Sequence, residues 1–488
     1  KGYDPLGIIK AGIDAAQGGR LRGASTITQQ VMRLSRKKTS RTYMEKAKEL
    51  ILATRLEFRE DKENIISLWA NHAPYGGNVV GLEAASWRYF NRSPENLSWA
   101  ESATLAILPN APTLIYPGKN QEKLLAKRDR LLKKLLANKI IDSLTYNLSI
   151  QEELPPKAYA IPQIAPHLLQ KIAKNKEGQL VETSIDYYLQ LQANQIVKTH
   201  YEQLQQNEIH NAAVLVLDVK TRQVLAYVGN TPTTIEHQKH VDIIDKPRST
   251  GSILKPFLYS AMLDNGDILP ETLIPDIPTQ IGTCKPENFN QEFAGAVPAK
   301  KALARSLNIP AVKMLQDFGI EKLHDYFQKM NFTKINRSPD DYGLSLILGG
   351  AESNLWDLCK SYASMSSTIN HYDDFQGKYF KNEFVEPSFL ADFKPNFGEQ
   401  STEKTIFDAG SIYMTFEAMK NVSRPNSEGN WEYFDSSKKI AWKTGTSFGF
   451  RDAWSICVTK DYVVGVWVGN ADGEGRPGLV GLQTAAPI

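Results

Sequence analysis

Three strand-like runs stand near the end of the sequence: "IAWKTGTS" at 440–447, "AWSICVT" at 453–459 and "YVVGVWVGN" at 462–470. Short polar segments connect them, and β-branched and aromatic residues dominate each run, which is typical of antiparallel strands. The stretch "AAVLVLDVKTRQVLAYVGN" at 212–230 has two such runs around a polar turn and predicts a β-hairpin. Helix-like and loop-like stretches alternate in between. The C-terminal part is therefore predicted to be an antiparallel sheet flanked by helices.

The N-terminal part reads as helical. The run "YMEKAKELILATRLEFREDKENIISLWA" at 43–70 has apolar residues at three- and four-residue spacing. A proline-rich stretch, "ELPPKAYAIPQIAPH" at 153–167, follows this region and reads as a connector, and a polar helix is predicted at 186–207. We therefore expect three parts: a helical domain at 1–155, a linker at 156–208 and an α/β domain at 209–488.

The composition is that of a globular protein, and its charge is unevenly distributed along the chain. The chain has 488 residues, 42% of them hydrophobic, and a net charge of +3. Residues 1–60 contain 13 Lys or Arg against 6 Asp or Glu, so the positive charge is concentrated at one end. This indicates an anionic partner such as nucleic acid, phosphate groups or a membrane surface, although a solvated basic helix face explains the charge alone equally well.

The cysteine spacing and the hydropathy pattern give no sign of a cysteine-ligated metal site, a disulfide framework or a membrane-spanning helix. The three cysteines lie far apart, without metal-ligand or disulfide spacing, and are predicted to be buried small residues. No apolar run reaches the length of about 18 residues that a membrane-spanning helix needs. The first residue is Lys1 rather than methionine, so we expect an N-terminally truncated chain whose signal or anchor lies upstream.

The stretch "RSTGSILKPF" at 248–257 is a candidate nucleophile site. On a helix, Ser252 and Lys255 share a face, and a partly desolvated lysine near other cations can act as a base toward the hydroxyl. Gly251 permits close approach of the chain, and Pro256 lacks an N–H, which fits a serine at the opening of a helix. The same Ser-x-x-Lys spacing recurs three times elsewhere, so this pair needs support from other motifs.

Two later motifs supply that support. Ser306 and Asn308 stand two residues apart in "ALARSLNIPAV", where the hydroxyl can relay a proton and the amide can hold a substrate amide. Lys443, Thr444 and Gly445 form a unique K-T-G tripeptide on a predicted strand. The strand lysine can attract a carboxylate, and the glycine leaves room for a substrate backbone to pair along the strand.

Ser-x-x-Lys, Ser-x-Asn and Lys-Thr-Gly, in this order, resemble the penicillin-binding protein transpeptidases. The resemblance implies an acyl-enzyme at Ser252, formed on a D-Ala-D-Ala stem peptide without a cofactor. The backbone N–H groups of Ser252 and Thr446 would form the oxyanion hole. The resemblance also implies that β-lactams bind covalently at Ser252. A hydrolytic D,D-carboxypeptidase, and a peptidoglycan-binding sensor or scaffold with an inactive site, remain as alternatives.

The segment "RGASTITQQVMRL" at 22–34 combines small residues, hydroxyls and amides between two arginines, which favours anion binding. Lys46 and Glu49 share a helix face nearby, and alone they would read as a surface ion pair. Together with "WANHAPYGGNVVGLEAASWRYF" at 69–90, these segments resemble the helical, lysozyme-like peptidoglycan glycosyltransferase domain. The whole chain thus resembles the bifunctional class A penicillin-binding proteins, most of all their 1C branch.

This second resemblance implies inverting transfer from a lipid-linked diphosphate sugar, with lipid II and nascent peptidoglycan as substrates. Glu49 matches the family's second carboxylate, which orients the substrate or leaving group. The family's first carboxylate lies upstream of a segment resembling "KGYDPLG", inside which this sequence begins, so we expect little glycosyltransferase activity and retained transpeptidase chemistry. The implied groove residues are Ser25, Thr26, Gln29 and Gln30, and the implied diphosphate ligands are Arg33, Arg41 and Lys46.

The remaining expectations concern cofactor, partner and location. A divalent metal such as Mg²⁺ could assist at the diphosphate, but the sequence has no dedicated ligand cluster for it. The basic N-terminal segment and the apolar, proline-containing loop at 108–118 would face a membrane surface, whereas nucleic acid is not expected. The resemblance places the protein in the bacterial cell envelope, at the periplasmic face of the inner membrane.

Overall fold

The computed structural model divides the chain into two compact units, Lys1–Pro162 and Gln163–Ile488. Each is described by itself below. The described residues are 2, 25–36, 42–160, 163–282, 285–422 and 440–488.

The described part of the first unit is mostly helical, as predicted. A two-stranded antiparallel ribbon, β1 (Pro74–Gly76) with β2 (Val79–Val80), interrupts the helices. The helices begin at polar caps: the side chain of Thr26, for example, accepts the N–H of Gln29, and Ser98 forms a reciprocal capping box with Glu101. The helices are α1 (Ile27–Leu34), α2 (Tyr43–Arg59), α3 (Lys62–His72), α4 (Leu82–Phe90), α5 (Trp99–Ile107), α6 (Gln121–Ala137) and α7 (Ser143–Gln151).

The loop at 108–118 differs from its predicted role as an apolar surface. Leu108 and Ile115 are buried in the core that α4 and α5 form with β1, whereas Leu114 is 62% exposed. Leu108 and Ile115 are more stable inside the core than at the surface, because burying each side chain removes a large apolar area from water. Leu114, together with the partly exposed Pro109, Pro112 and Tyr116, remains to contribute to an apolar surface, and the membrane contact stays a prediction.

A five-stranded antiparallel sheet forms the centre of the second unit. Its order is β11-β12-β13-β3-β4, with every neighbouring pair antiparallel, which confirms both the predicted hairpin and the three predicted C-terminal strands. Side chains alternate across it: Leu215 and Leu217 enter one core, and Val214 and Val216 enter the other. The strands are β3 (Asn211–Asp218), β4 (Val224–Val228), β11 (Ala441–Thr446), β12 (Asp452–Val458) and β13 (Tyr462–Gly469).

Helices cover both faces of this sheet. The larger core lies on the face covered by α10, α15 and α16, and the smaller core lies beneath α9 and the end of the chain. The helices of the unit are α8 (Pro166–Lys176), α9 (Tyr187–Leu204), α10 (Lys255–Asp264), α11 (Ala299–Ala304), α12 (Asn308–Phe318), α13 (Ile320–Lys329), α14 (Pro339–Tyr342), α15 (Leu355–Asp374) and α16 (Ala409–Met419). Three short strand pairs complete it: β5 (Arg248–Ser249) with β8 (Glu352–Ser353), β6 (Leu273–Asp276) with β7 (Gly295–Pro298), and β9 (Tyr379–Phe380) with β10 (Gln400–Ser401).

The expected linker at 156–208 is not a separate connector in the structure. The boundary between the units falls after residue 162, and α8 and α9 belong to the second unit. Leu168 of α8 is buried in the larger core, and Val197 of α9 is buried in the smaller one. The helix predicted at 186–207 is present as α9, whereas α8 was missed because the prolines before it read as breakers. Pro166 in fact occupies the first turn of α8, where its missing N–H costs nothing.

The cysteine and membrane predictions can be checked on the described residues. Cys359 is buried, as expected, whereas Cys457 on β12 is only partly buried. Cys284 lies outside the described residues. Among the described residues, no helix is both long enough and apolar enough to cross a bilayer.

Candidate active site

Ser252 lies in a tight turn directly before α10, rather than inside the helix. The backbone N–H of Lys255 donates to the carbonyl oxygen of Ser252 at 3.3 Å, and α10 begins at Lys255. Pro256, in the first turn of the helix, offers no N–H to extend that ladder. The sequence thus places the serine at the mouth of a helix, with its hydroxyl outside the regular hydrogen-bond pattern.

Two glycines bring the serine turn against β11. Gly251 has φ +51°, and a Cβ there would stand 2.5 Å from the carbonyl oxygen of Thr446. A Cβ on Gly445 would stand 2.8 Å from the carbonyl oxygen of Thr250. Because such distances are too short for a real side chain, the turn and the strand touch backbone to backbone. The room that the sequence interpretation gave to substrate at Gly445 is therefore taken by the turn that carries Ser252.

Lys255 is buried and surrounded by oxygen acceptors. Its Nζ donates to the carbonyl oxygens of Ser306 (2.8 Å) and Leu307 (3.1 Å) and to Oδ1 of Asn308 (2.7 Å). These three contacts use the three donors of an ammonium, so none is left for the hydroxyl of Ser252. Burial, and secondarily the charge of Lys443, holds the pKa of Lys255 well below its usual range. Burial thus favours the neutral amine of Lys255, whereas its three oxygen acceptors favour the ammonium.

Lys443 is also buried, and it contacts Ser306 directly. Its Nζ donates to Oγ of Ser306 at 2.7 Å and to the carbonyl oxygen of Thr444 at 2.6 Å. Burial lowers the pKa of Lys443 to about 7. The sequence interpretation gave this lysine the role of a cation that attracts a carboxylate, but the structure makes it a buried partner of Ser306 whose charge is near its midpoint at neutral pH.

Ser306 and Asn308 form the turn that links the two lysines. Ser306 has φ +55°, a left-handed conformation that is uncommon outside glycine and that collects at functional sites. Asn308 begins α12, and its Nδ2 donates to the carbonyl oxygen of Glu287 at 2.8 Å. Since its Oδ1 binds Lys255, this amide positions the lysine, and one N–H of Nδ2 and one lone pair of Oδ1 remain for the predicted contact with a substrate amide.

The arrangement is suited to acyl transfer. Neither Lys255 nor Lys443 has a carboxylate within ion-pair distance among the described residues, so burial is not offset by an opposite charge. A neutral amine can then accept a proton from a nearby hydroxyl. In the described part of the chain, β11 is the last strand of its sheet and has a free outer edge, where an extended peptide could pair beside Ser252.

A second cluster, in the first unit, gathers five of the residues chosen from the sequence. Glu49 accepts two hydrogen bonds from Arg33, at 2.8 and 3.0 Å, and one from Lys46 at 3.0 Å. Lys46 also donates to Oγ of Ser25 at 2.8 Å and to Oε1 of Gln29 at 3.2 Å. The hydrogen bonds from Arg33, followed by those from Lys46, hold the pKa of Glu49 below its ordinary value. Glu49 therefore stays ionised and anchors both cations.

The other residues implied for this groove have different positions. Thr26 caps α1, and its hydroxyl donates to the carbonyl oxygen of Gly2 at 2.9 Å. Oε1 of Gln30 accepts from the indole of Trp69 at 3.1 Å, a contact that the sequence interpretation did not single out. Trp69 opens the quoted "WANHAPYGG" segment, so the motif held a signal for it. Arg41 lies outside the described residues.

The residues present do not fit a protein-held Mg²⁺ site. Three or more His, Cys, Asp or Glu side chains that could hold a metal are not found together within the described ranges. Glu49, the carboxylate of the first cluster, is already bound by a guanidinium and an ammonium. Mg²⁺ needs oxygen ligands in octahedral geometry, and two adjacent cations oppose its binding.

Comparison with known proteins adds the family. A model of the penicillin-binding protein transpeptidase domain matches residues 212–480, more than half of the chain. The chain belongs to this family. A transglycosylase model matches residues 1–136, so the family's transpeptidase domain is here preceded by a transglycosylase domain, as the sequence interpretation expected for a class A penicillin-binding protein.

Relatives within the family match the chain throughout. Penicillin-binding protein 1C of Escherichia coli is 30% identical over 489 residues, covering 100% of this chain and 60% of that protein. Penicillin-binding protein 1B of Haemophilus influenzae is 26% identical, covering 100% of this chain and 64% of that protein. The chain thus spans less than two thirds of the length of either relative.

The fold agrees with a solved member of the family. The crystal structure of penicillin-binding protein 1A from Haemophilus influenzae superposes with a TM-score of 0.59 at 16% identity, covering 88% of this chain and 85% of that one. The predicted fold class, a helical domain followed by a domain with an antiparallel sheet flanked by helices, is confirmed. The transpeptidase model begins at 212, and the compact unit that contains it begins at 163.

Proposed function

We propose that this protein is a peptidoglycan synthase whose second unit cross-links stem peptides through an acyl-enzyme at Ser252. The observation that carries the proposal is the pair of buried lysines, Lys255 and Lys443, which meet at Ser306 without a carboxylate contact in the described structure. An ordinary structural lysine is paired when it is buried, as Lys360 is with Asp357. A site kept only for binding has no need of two amines with lowered pKa values.

The geometry suggests the following steps for acyl transfer. Ser252 Oγ attacks the carbonyl carbon of the penultimate D-Ala, and its proton passes to neutral Lys255, so that a C–O bond forms as the O–H bond breaks. The N–H groups of Ser252 and Thr446, brought together by the contact between Gly251 and β11, stabilise the developing oxyanion. The C–N bond then breaks, and terminal D-Ala leaves with a proton relayed through Ser306.

Cross-linking completes the cycle. An acceptor amine from a second stem peptide attacks the acyl carbon, gives a proton to the site and releases Ser252 as the hydroxyl. The acyl donor lies as an extended strand along the free edge of β11, where main-chain hydrogen bonds hold it whatever its side chains. A β-lactam enters the same path, but its leaving amine stays tethered, so the acyl-enzyme persists.

The first unit supports binding of the lipid-linked donor of glycan polymerisation, a reaction for which little turnover is expected from the sequence. Arg33 and Lys46 have side chains that are each 40% exposed, and both reach the hydroxyl of Ser25. Two half-exposed cations beside a hydroxyl are suited to the diphosphate of lipid II. Glu49 fixes both cations, and through them it would orient the substrate or leaving group, the role that the family resemblance implies.

These substrates define the partners and the location that we propose. Lipid II and nascent peptidoglycan are the substrates, β-lactams are covalent inhibitors, and the lipid-linked donor brings the first unit to a membrane surface. Such substrates belong to the bacterial cell envelope, so the protein acts at the periplasmic face of the inner membrane. No cofactor is needed for the acyl transfer, and no metal enters the steps above.

The test is release of D-Ala from a stem pentapeptide, measured with and without an acceptor amine. We expect D-Ala release together with a new amide-linked product, both lost in Ser252→Ala and both retained in Ser260→Ala. Ser260 lies on α10, where it contacts Ser411, and is the matched control. D-Ala release without an amide product would identify a carboxypeptidase. Neither D-Ala release nor a β-lactam adduct would identify a binding scaffold.

A further inference from the structure

Asn288 caps the helix that carries Asn308. Asn288 lies in the loop between β6 and β7 and is 2% exposed. Its Oδ1 accepts the backbone N–H of Asn308 at 2.9 Å and that of Ile309 at 3.3 Å. These are N–H groups of the first turn of α12, and the residue before the helix, Leu307, has no polar side chain to bind them. A residue 20 positions upstream thus supplies the missing cap.

Asp276 fixes the orientation of that amide. It is the last residue of β6 and is 1% exposed. Its Oδ1 accepts Nδ2 of Asn288 at 2.7 Å, and its Oδ2 accepts the backbone N–H of Ala294 at 2.9 Å. An ionised carboxylate can only accept hydrogen bonds, so Nδ2 must face Asp276 and Oδ1 must face the helix. The carbonyl oxygen of Glu292, which accepts Nδ2 at 2.9 Å, imposes the same choice.

The chain of contacts ends at the lysine next to the nucleophile. The loop touches Asn308 a second time, through the carbonyl oxygen of Glu287. Asn308 Oδ1 and the carbonyl oxygens of Ser306 and Leu307 are the three acceptors of Lys255 Nζ. The loop between β6 and β7 therefore fixes the turn at 306–308, and this turn binds Lys255.

We infer that Asp276 and Asn288 are positioning residues for acyl transfer at Ser252. This inference rests on the proposed function and deepens it. The turn at Ser306 has a left-handed backbone that persists only where its surroundings over-determine it, and the cap from Asn288 together with the bond to Glu287 does so. Without the cap, the acceptors shift, and Lys255 shifts with them relative to the turn that carries Ser252.

The experiment measures acylation of the full chain by a fluorescent penicillin, separating the first-order acylation rate constant from the apparent dissociation constant. In Asn288→Ala we expect the rate constant to fall by about tenfold to a hundredfold, as for a small misplacement of a catalytic group, with the dissociation constant within about threefold of the parent. A role limited to overall stability would leave the rate constant of the folded fraction unchanged.

Asn230→Ala is the matched control for the loss of a buried amide. Asn230 is buried and donates to the carbonyl oxygens of Gln238 and Val241, while its Oδ1 accepts from Asn211. None of these partners belongs to the site around Ser252. We expect Asn230→Ala to lower the melting temperature as much as Asn288→Ala does, but to leave the acylation rate constant unchanged.

An exchange of the two side chains tests the relay itself. Asn288→Asp alone sets two carboxylates face to face, and Asp276→Asn alone can set two amide donors together, so each should slow acylation. In the double variant Asp276→Asn/Asn288→Asp, the amide at 276 donates to a carboxylate that still accepts the N–H groups of α12. The remaining cost is at Glu292, whose carbonyl oxygen then faces a carboxylate oxygen instead of an N–H. We expect the double variant to recover most of the parental rate constant.

The outcomes separate the two levels of the argument. Single variants that acylate at the parental rate, or a double variant no faster than the slower single variant, would overturn the positioning role while leaving Ser252 as the nucleophile. A parent chain that no penicillin acylates would instead contradict the proposed function, and the inference would be lost with it.

Discussion

The two units hold lysines in opposite ways. In the second unit, Lys255 and Lys443 are buried and face only neutral oxygen acceptors among the described residues. In the first unit, Lys46 is half exposed and ion-paired with Glu49, which Arg33 also binds. The difference lies in solvation and in the presence of a fixed anion, since the residue type is the same.

The two environments differ in how they shift the pKa values of the groups that they hold. Burial without an anion disfavours the charged form, so Lys255 and Lys443 have lowered pKa values and can accept protons. In the first unit, the hydrogen bonds from Arg33 and Lys46 lower the pKa of the Glu49 carboxyl, and Glu49 in turn raises the pKa of Arg33. The buried lysines of the second unit are therefore suited to act as bases. The cations held by Glu49 in the first unit are suited to bind an anion.

The largest effect is expected from Lys255→Arg. A guanidinium keeps the positive charge and the donors but cannot lose its proton, so the base is removed. We expect the acylation rate constant to fall by about a thousandfold, within the range for loss of general acid–base catalysis. Stopped-flow measurement with a fluorescent penicillin at pH 7.5 checks it. The control is Lys360→Arg, because Lys360 is equally buried but is paired with Asp357 and Glu386. More than a tenth of the parental rate in Lys255→Arg would contradict the role of Lys255 as the base.

The next effect concerns stability and sharpens the contrast in burial. Lys443 has a folded-state pKa of about 7 against 10.5 for the ordinary side chain, so between these pH values the unfolded chain binds a proton that the folded chain does not. The free energy of unfolding therefore rises with pH in this window and falls as pH drops toward 7. Denaturant titrations should show that Lys443→Met reduces this slope by up to about 1.4 kcal/mol per pH unit. An unchanged slope would mean that Lys443 is charged in the folded state.

A smaller effect is expected in the first unit. Arg33→Ala removes a cation of the proposed diphosphate site and should weaken binding of a long-chain polyprenyl diphosphate by about tenfold, the scale of one charge-assisted hydrogen bond. Isothermal titration calorimetry at two salt concentrations checks it. Arg88→Ala is the control, since Arg88 is a half-buried arginine on α4 that contacts the carbonyl oxygen of Tyr159. Equal loss in both variants would contradict a specific role for Arg33.

The smallest effect is a pH response that differs between the units. The carboxylate of Glu49 has a lowered pKa and stays ionised above pH 6, so diphosphate binding should change by less than about twofold between pH 6 and 8. Acylation at Ser252 should rise over the same interval, because Lys443, with a pKa of about 7, loses its proton there. Parallel pH profiles for the two activities would remove the contrast on which this account depends.

Local patterns predicted part of this structure well. Runs of β-branched and aromatic residues bounded by short polar segments predicted β3, β4, β11, β12 and β13, because such side chains pack well on a pleated sheet. The helix α8 was missed because the prolines around it mark breaks, and α9 was predicted as a helix but assigned to the linker. Only the tertiary core shows that Leu168 of α8 and Val197 of α9 are buried.

The site was predicted in its residues but less so in its contacts. Motif order identified Ser252, Lys255, Ser306, Asn308 and Lys443, and the structure brings the last four together beside the serine turn. Short-range spacing could not show that Gly445 accommodates that turn, that Asn308 is occupied by Lys255, or that Asn288 caps α12. These contacts join residues 20 or more positions apart, so they depend on the packed fold.

The most direct test of the central claim is tandem mass spectrometry of the full chain after a brief exposure to a penicillin at pH 7.5. We predict a single acyl adduct on Ser252, absent from Ser252→Ala and strongly reduced in Lys255→Arg under the same exposure. An adduct on another serine, or parental labelling of Ser252 in Lys255→Arg, would contradict a nucleophile activated by a neutral buried lysine.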